Sequence, residues 1–174
     1  MTTLATPANS AVDPKTFWKT IGERATGTTV VTAESDCGPT GFLGLSATHI
    51  TADPPTMLVS IDHKTSALAG ILARKHFAIN FLPADAELVA HAFSGRAGLS
   101  GAARFFDGEW TTLVTGAPVY RQALGVFDCE LLEVVERGNI SIVIGHVVGS
   151  TARGEGAPLI YFRGKTYKSL NAAD

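Results

Sequence analysis

The chain has 174 residues, 45% hydrophobic and only 17% charged, which suits one folded domain and argues against general disorder. Fourteen Lys+Arg against sixteen Asp+Glu give a formal charge of −2, so no basic surplus exists for a nucleic-acid partner. No apolar run reaches the roughly 18 residues of a membrane helix, and residues 1–12 carry neither a basic leader nor an apolar signal core. The sequence therefore reads as cytoplasmic, with no membrane partner, a disordered tail over residues 1–12 and a single domain over residues 13–174. Cys37 and Cys129 read as two separate thiols.

Asp13 caps a first helix, Pro14 suits its first turn, and Phe17, Ile21 and Ala25 recur at helical spacing before Gly27. Residues 28–33 (TTVVTA) are short and β-branched, and residues 36–39 (DCGP) make a turn. Residues 41–51 predict a second extended segment, closed by Asp53-Pro54-Pro55. Residues 56–61 predict a strand apolar enough to be buried on both faces. Thr65 caps a helix over residues 65–74 with Leu68, Ile71 and Leu72 inward. Residues 77–82 form a strand, and residues 85–93 a helix whose inner face is Leu88, Val89, Ala92 and Phe93. Residues 94–101 (SGRAGLSG) are a loop. Two long strands, 126–135 and 140–150, are joined by a Glu136-Arg137-Gly138-Asn139 turn, and residues 159–162 and 165–170 close the chain as a hairpin. Consecutive strands with short helices between them predict an antiparallel barrel with peripheral helices.

The familiar nucleotide-loop, zinc-protease, dithiol and serine-elbow motifs are absent. His49, His63, His76, His91 and His146 show no metal-ligand spacing, and His91 reads as an ordinary helix-surface histidine. The segment 41–55 (GFLGLSATHITADPP) is more informative. Its small residues Gly44, Ser46 and Ala47 would let a flat ligand lie against the backbone. Lys64-Thr65-Ser66, entering a helix, offers an anion site. Together they suit a planar ring carrying a phosphate; an ordinary strand–turn–strand–helix with a solvated lysine remains the alternative.

The sequence resembles the short-chain flavin reductases, the reductase components of two-component flavin monooxygenases. The likeness runs from about Phe17 to Leu170. Residues 17–32 are similar to that family's helix followed by A-T-G-V-T-V-V-T, and residues 41–55 match its G-M-T-A-N-S-F-T-S-V-S-x-D-P-P without a gap. VSID (59–62), FAINFL (77–82), GAPV (116–119) and PLIYFRG (158–164) follow in the family's order. The resemblance implies an antiparallel Greek-key split β-barrel with a few peripheral short α-helices, and a homodimer. It implies hydride transfer from NADH or NADPH to FMN or FAD, supplying a partner monooxygenase. It places the flavin ring along Leu43, Gly44, Leu45, Ser46, Ala47 and Thr48, with His49 and Ile50 nearby. The phosphate falls at Lys64, Thr65 and Ser66, and Arg104 and Phe105 lie near the flavin.

Three departures bear on chemistry. Leu45 stands for the usual Asn, Ala47 for the usual Phe, and Gly138-Asn139-Ile140 for a G-D-H whose histidine lies near the nicotinamide. His146, further along that strand, is the one catalytic candidate. Two other readings keep the flavin: a reductase of a metal centre such as a cobalt corrinoid or ferric chelate, and a flavin-binding module without turnover.

Overall fold

The structure, a computed structural model, describes residues 12–168. The tail expected over 1–12 falls outside it except for Val12, as does the end of the expected last strand at Leu170. In chain order the elements are α1 (Pro14–Ile21), β1 (Thr26–Gly27), β2 (Thr29–Ser35), β3 (Gly38–Leu43), β4 (Thr48–Ala52) and β5 (Pro55–Asp62). Next come α2 (Ser66–Arg74), β6 (His76–Phe81), α3 (Glu87–Phe93), a 3-10 turn (Gly101–Arg104), β7 (Trp110–Thr112) and β8 (Pro118–Tyr120). The chain continues through β9 (Gly125–Arg137), β10 (Ile140–Ala152), β11 (Ile160–Phe162) and β12 (Lys165–Tyr167).

Seven strands form one antiparallel sheet in the order β3-β2-β6-β9-β10-β5-β4. Its two edges, β3 and β4, are joined by only residues 44–47. Six steps of ~4.8 Å would hold the edges of a flat sheet ~29 Å apart. The chain from Leu43 to Thr48 spans at most ~17 Å. The sheet must curl until its edges approach, which gives the antiparallel split barrel that the sequence predicts. Smaller sheets, β1-β11-β12 and β7-β8, flank it.

Local chemistry explains most of these elements. Asp13 Oδ1 accepts from the N–H groups of Lys15 (2.9 Å) and Thr16 (3.2 Å), capping α1. The Gly138-Asn139 tip links β9 to β10 with Gly138 at φ 60°, as a tight hairpin requires. β2 is buried on both faces: Val30 joins a cluster with Val89 and Phe93 of α3, while Val31 and Ala33 join one with Ile71 of α2 and Phe77. Asn80, fully buried, donates to Val30 O (3.1 Å) and Thr32 Oγ1 (3.2 Å) and accepts from Tyr120 N–H (2.8 Å), tying β8 to the barrel.

Several expectations are corrected. α1 ends at Ile21, so Ala25 lies beyond it, and none of its residues is buried. The extended segment 41–51 is two strands, because the chain crosses β2 too closely at Gly44 to continue straight. A Cβ there would meet Val31 Cγ2 at 2.5 Å, and Gly44 N–H already donates to Thr29 O at 2.8 Å. β5 buries Met57, Val59 and Ile61 but leaves Leu58 and Ser60 half-buried. Leu72 points outward because α2 touches β2 through Gly70, where a Cβ would stand 2.7 Å from Glu34 O; the inner face is therefore Ala67, Leu68, Gly70 and Ile71. Leu88 is 77% exposed: α3 faces inward through Val89 and Phe93, with Leu88 one position round the helix. The β7-β8 ribbon and the 3-10 turn are too short to give a periodic signal, and the sequence alone does not predict them.

Candidate functional site

A cleft of about 770 Å³ opens where the start of α2, the end of β3, the C-terminal end of α3 and the β11–β12 hairpin converge. Its volume lies within the ~300–1,000 Å³ typical of small-molecule sites.

The turn from β5 into α2 is built around Asp62. Its Oδ1 accepts from Lys64 N–H (2.9 Å), its carbonyl accepts from Thr65 N–H (2.8 Å), and its Oδ2 accepts from Asn139 Nδ2 (2.7 Å). The Lys64 amide bond is the main reason the Asp62 carboxyl titrates below its usual range, partial burial opposing and the Asn139 bond adding. A second clasp lies beside it: His63 N–H donates to Asn139 O (3.0 Å), and His63 Nε2 is 2.8 Å from Glu136 Oε2. Glu136 also accepts from Ser141 Oγ (2.9 Å), and these bonds, His63 first, lower its pKa. The tip of the β9–β10 hairpin thus fixes the turn that carries Lys64.

That turn leaves donors unused. Thr65 is the N-cap of α2 but makes no side-chain cap bond, so its hydroxyl is free for a ligand. Lys64 is exposed and has no ion-pair partner among the described residues. Ser66 makes a weak hydroxyl contact to Thr40 at 3.4 Å. Arg104 comes from the 3-10 turn: its Nε donates to Leu99 O (2.9 Å) and its Nη1 to Gly41 O (2.9 Å). The guanidinium thereby ties the 94–101 loop to β3 and leaves donors over for the cleft.

The structure brings Leu43, Lys64, Thr65, Ser66 and Arg104 together in this cleft. The other expected residues go elsewhere. Gly44, Leu45 and Ser46 make the turn between β3 and β4, and the Ser46 hydroxyl bridges the backbone N–H (3.0 Å) and carbonyl (3.1 Å) of Ser60. Ala47 lines a separate cavity of about 320 Å³ with Thr29 and Phe81. Thr48, His49 and Ile50 are exposed on edge strand β4. Phe105 packs its ring on Phe93 (5.0 Å between centroids) and Trp110 (4.8 Å) in an aromatic cluster. His146 pairs opposite Thr56, ~20 Å along β5 from Asp62, with Nδ1 3.1 Å from Pro55 O.

Sequence reasoning missed other lining residues of the cleft: His91 on α3, Arg96 just after it, and Tyr161 and Lys165 on the last hairpin. The glycine-rich 94–101 loop was legible as a loop, but nothing local connects it to residues 161–166. The cleft carries four cations, Lys64, Arg96, Arg104 and Lys165, against one carboxylate, Glu87, which Lys168 neutralises at 2.8 Å. In a chain of net charge −2 this is a concentrated positive site, suited to phosphate.

Cleft and barrel together offer a positive, hydroxyl-lined recess beside the split barrel, a chemistry that suits a phosphorylated ligand. Residues 21–170 match the family model described as flavin reductase like domain, and the chain belongs to that family. It is 32% identical over 145 residues to an FMN reductase (NADH), RutF, of Bradyrhizobium diazoefficiens, covering 83% of this chain and 79% of the relative. To the reductase component of a 4-nitrophenol 4-monooxygenase/4-nitrocatechol 2-monooxygenase of Rhodococcus opacus it is 33% identical, over 88% of this chain and 80% of that one. Among solved structures it is similar to the NADH:FAD oxidoreductase SgcE6 of Streptomyces globisporus in complex with NAD and FAD fragments. There the TM-score is 0.83 at 25% identity, covering 95% of this chain and all of the other (100%).

Proposed function

We propose that this chain is an NAD(P)H-dependent flavin reductase whose flavin phosphate is held at the start of α2. The observation that carries the placement is the uncommitted anion site: Lys64, the Thr65 hydroxyl and the first turn of α2, all facing one cleft. The residues fit a flavin in chemistry as well as place. They supply a cation and hydroxyls for the phosphate and Leu43 for an apolar ring edge.

When bound, the flavin and the nicotinamide supply the hydride chemistry between them. This chain's residues bind and orient. Lys64, Thr65 and Ser66 anchor the phosphate, Arg104 holds the 94–101 loop against β3, and the Asp62–Asn139 bond keeps the anchor in register with the hairpin. No proton need be moved by a side chain in this reading, and the carboxylate that lines the cleft, Glu87, is held in an ion pair with Lys168.

Lys64→Ala tests the placement. Removing a charge-assisted hydrogen bond at an exposed position should weaken FMN binding by about five- to thirty-fold, and riboflavin, which lacks the phosphate, should be nearly unaffected. Equal losses for both ligands, or none for either, would remove Lys64 from the site.

The reduced flavin serves a partner oxygenase in this reading, supported by the monooxygenase system that the Rhodococcus relative belongs to. Two free thiols suit a reducing, cytoplasmic setting. We also propose a homodimer. On the outer sheet face Leu58 lies opposite Ile144, and Ile142 opposite Val135. Directly paired residues share a face, and none of these four belongs to either core cluster. An exposed sheet face normally alternates to polar residues. This one carries those four half-buried apolar side chains beside Ser60 and Glu133, and a second copy would cover them.

A further inference from the structure

Helix α1 buries none of its residues, yet it carries a large apolar face. Phe17 and Trp18 stand four and three positions before Ile21, so the three side chains share one side of the helix. They are 53%, 70% and 43% exposed, and the two rings meet edge to face with centroids 5.5 Å apart. Eight residues are too few for a helix to be stable in water by itself, and such a helix is held by packing its apolar face. Its C-terminal end is tied to the β11–β12 hairpin: Gly22 O accepts from Arg163 N–H (3.1 Å), and Arg163 Nε donates to Glu23 Oε2 (2.9 Å). Lys15 and Lys19, one turn apart, are exposed and have no ion-pair partner among the described residues.

The outer sheet face has the complementary make-up. Its apolar part is Leu58, Ile142, Ile144 and Val135. On β9 it is bordered by Glu133, opposite Ile144, and by Glu130, opposite His146 two residues further along β10. Both glutamates are exposed and have no ion-pair partner among the described residues.

Area decides what must cover these surfaces. A specific interface takes at least about 500 Å² from each copy. The four half-buried side chains of the sheet face offer only on the order of 200 Å². The α1 face adds about 300 Å², and the lysine stems extend it. Two sheet faces alone fall short, whereas a two-fold pair in which each copy gives a helix and receives one reaches the requirement. Resting on the homodimer reading above, we propose that α1 is a dimerisation arm. It lays Phe17, Trp18 and Ile21 on the outer sheet face of a second copy, and Lys15 and Lys19 meet Glu130 and Glu133 there.

Sedimentation equilibrium tests this on the parent and four variants, with circular dichroism to verify folding: Phe17→Ala with Trp18→Ala, Lys15→Glu with Lys19→Glu, Glu130→Lys with Glu133→Lys, and the last two pairs combined. The truncated arm should weaken the dimer by about a hundred-fold, since each loss is felt at both arms. Either charge reversal alone should weaken it by about ten-fold, and the combined exchange should restore it to within a few-fold. A dimeric parent whose variants all dimerise equally well would overturn the arm and leave the homodimer standing. Charge reversals that weaken the dimer without being restored by the exchange would overturn the pairing of helix with sheet. A monomeric parent would fail the homodimer reading itself, and the arm with it.

Discussion

Two of the five N–H donors of Arg104 are committed to the carbonyls of Leu99 and Gly41, which sit on a loop and on an edge strand. A lysine there keeps the charge but cannot reproduce a planar two-carbonyl bridge. Arg104→Lys should therefore weaken flavin binding by about ten-fold, the loss of roughly one charge-assisted bond, with little change in the thermal midpoint. A fluorescence titration that matched the parent would show that the bridge does not shape the site. The thiols lie outside this chemistry. Burial, with the Asp128 charge adding, pushes the Cys129 thiol up to about 12, and Cys37 is exposed in the turn between β2 and β3. Neither lines the cleft. The pair of changes Cys37→Ser and Cys129→Ala should leave NADH-dependent flavin reduction within a few-fold of the parent; a loss of several orders of magnitude would place a thiolate in the reaction.

At the scale of elements, the hairpin tip and the β5–α2 turn act as one unit through Asp62 and Glu136. Both carboxyls titrate below their usual values in the folded chain. Their contribution is therefore full above the unfolded carboxylate range, ~4, and is lost as pH falls through the lowered folded values. FMN affinity should be level through the neutral range and fall below about pH 4. The Asp62→Asn, Glu136→Gln double variant should lose that step, and persistence of the same step in it would sink the assignment. Asn80 joins three elements in the same way but inside the core, so Asn80→Ala leaves a buried amide and carbonyl unpaired and should cost about 2–4 kcal/mol. A denaturant midpoint near the parent's would contradict that. Elements whose signals are local were legible in the sequence: the Asp13-Pro14 cap, the β-branched run that became β2, the Gly138-Asn139 tip. The helix faces at Leu72 and Leu88 were not, because which side of α2 can approach β2 depends on Gly70 meeting Glu34 across the fold. The lysine and hydroxyls at residues 64–66, which the structure puts at the start of α2 and in the cleft, were legible for the same local reason. The other lining residues, His91, Arg96, Tyr161 and Lys165, were not, since α3 and the last hairpin meet only after the barrel has closed.

Over the whole molecule, the apolar outer face is the feature that a single copy leaves unexplained. Ile144→Arg puts a charge at its centre, opposite Leu58, without touching either core cluster. Equilibrium sedimentation should find the parent dimeric and this variant monomeric at micromolar concentration, with its secondary structure intact. A monomeric parent that still holds flavin would end the dimer proposal. The assembled barrel should pass a hydride from reduced nicotinamide to its flavin. Anaerobic rapid mixing of the flavin-loaded protein with NADH tests it most directly. The visible flavin absorbance should bleach in a single saturable phase, faster by orders of magnitude than free flavin with NADH. A flavin that stays bound and yellow, or that bleaches no faster than in buffer, would contradict it.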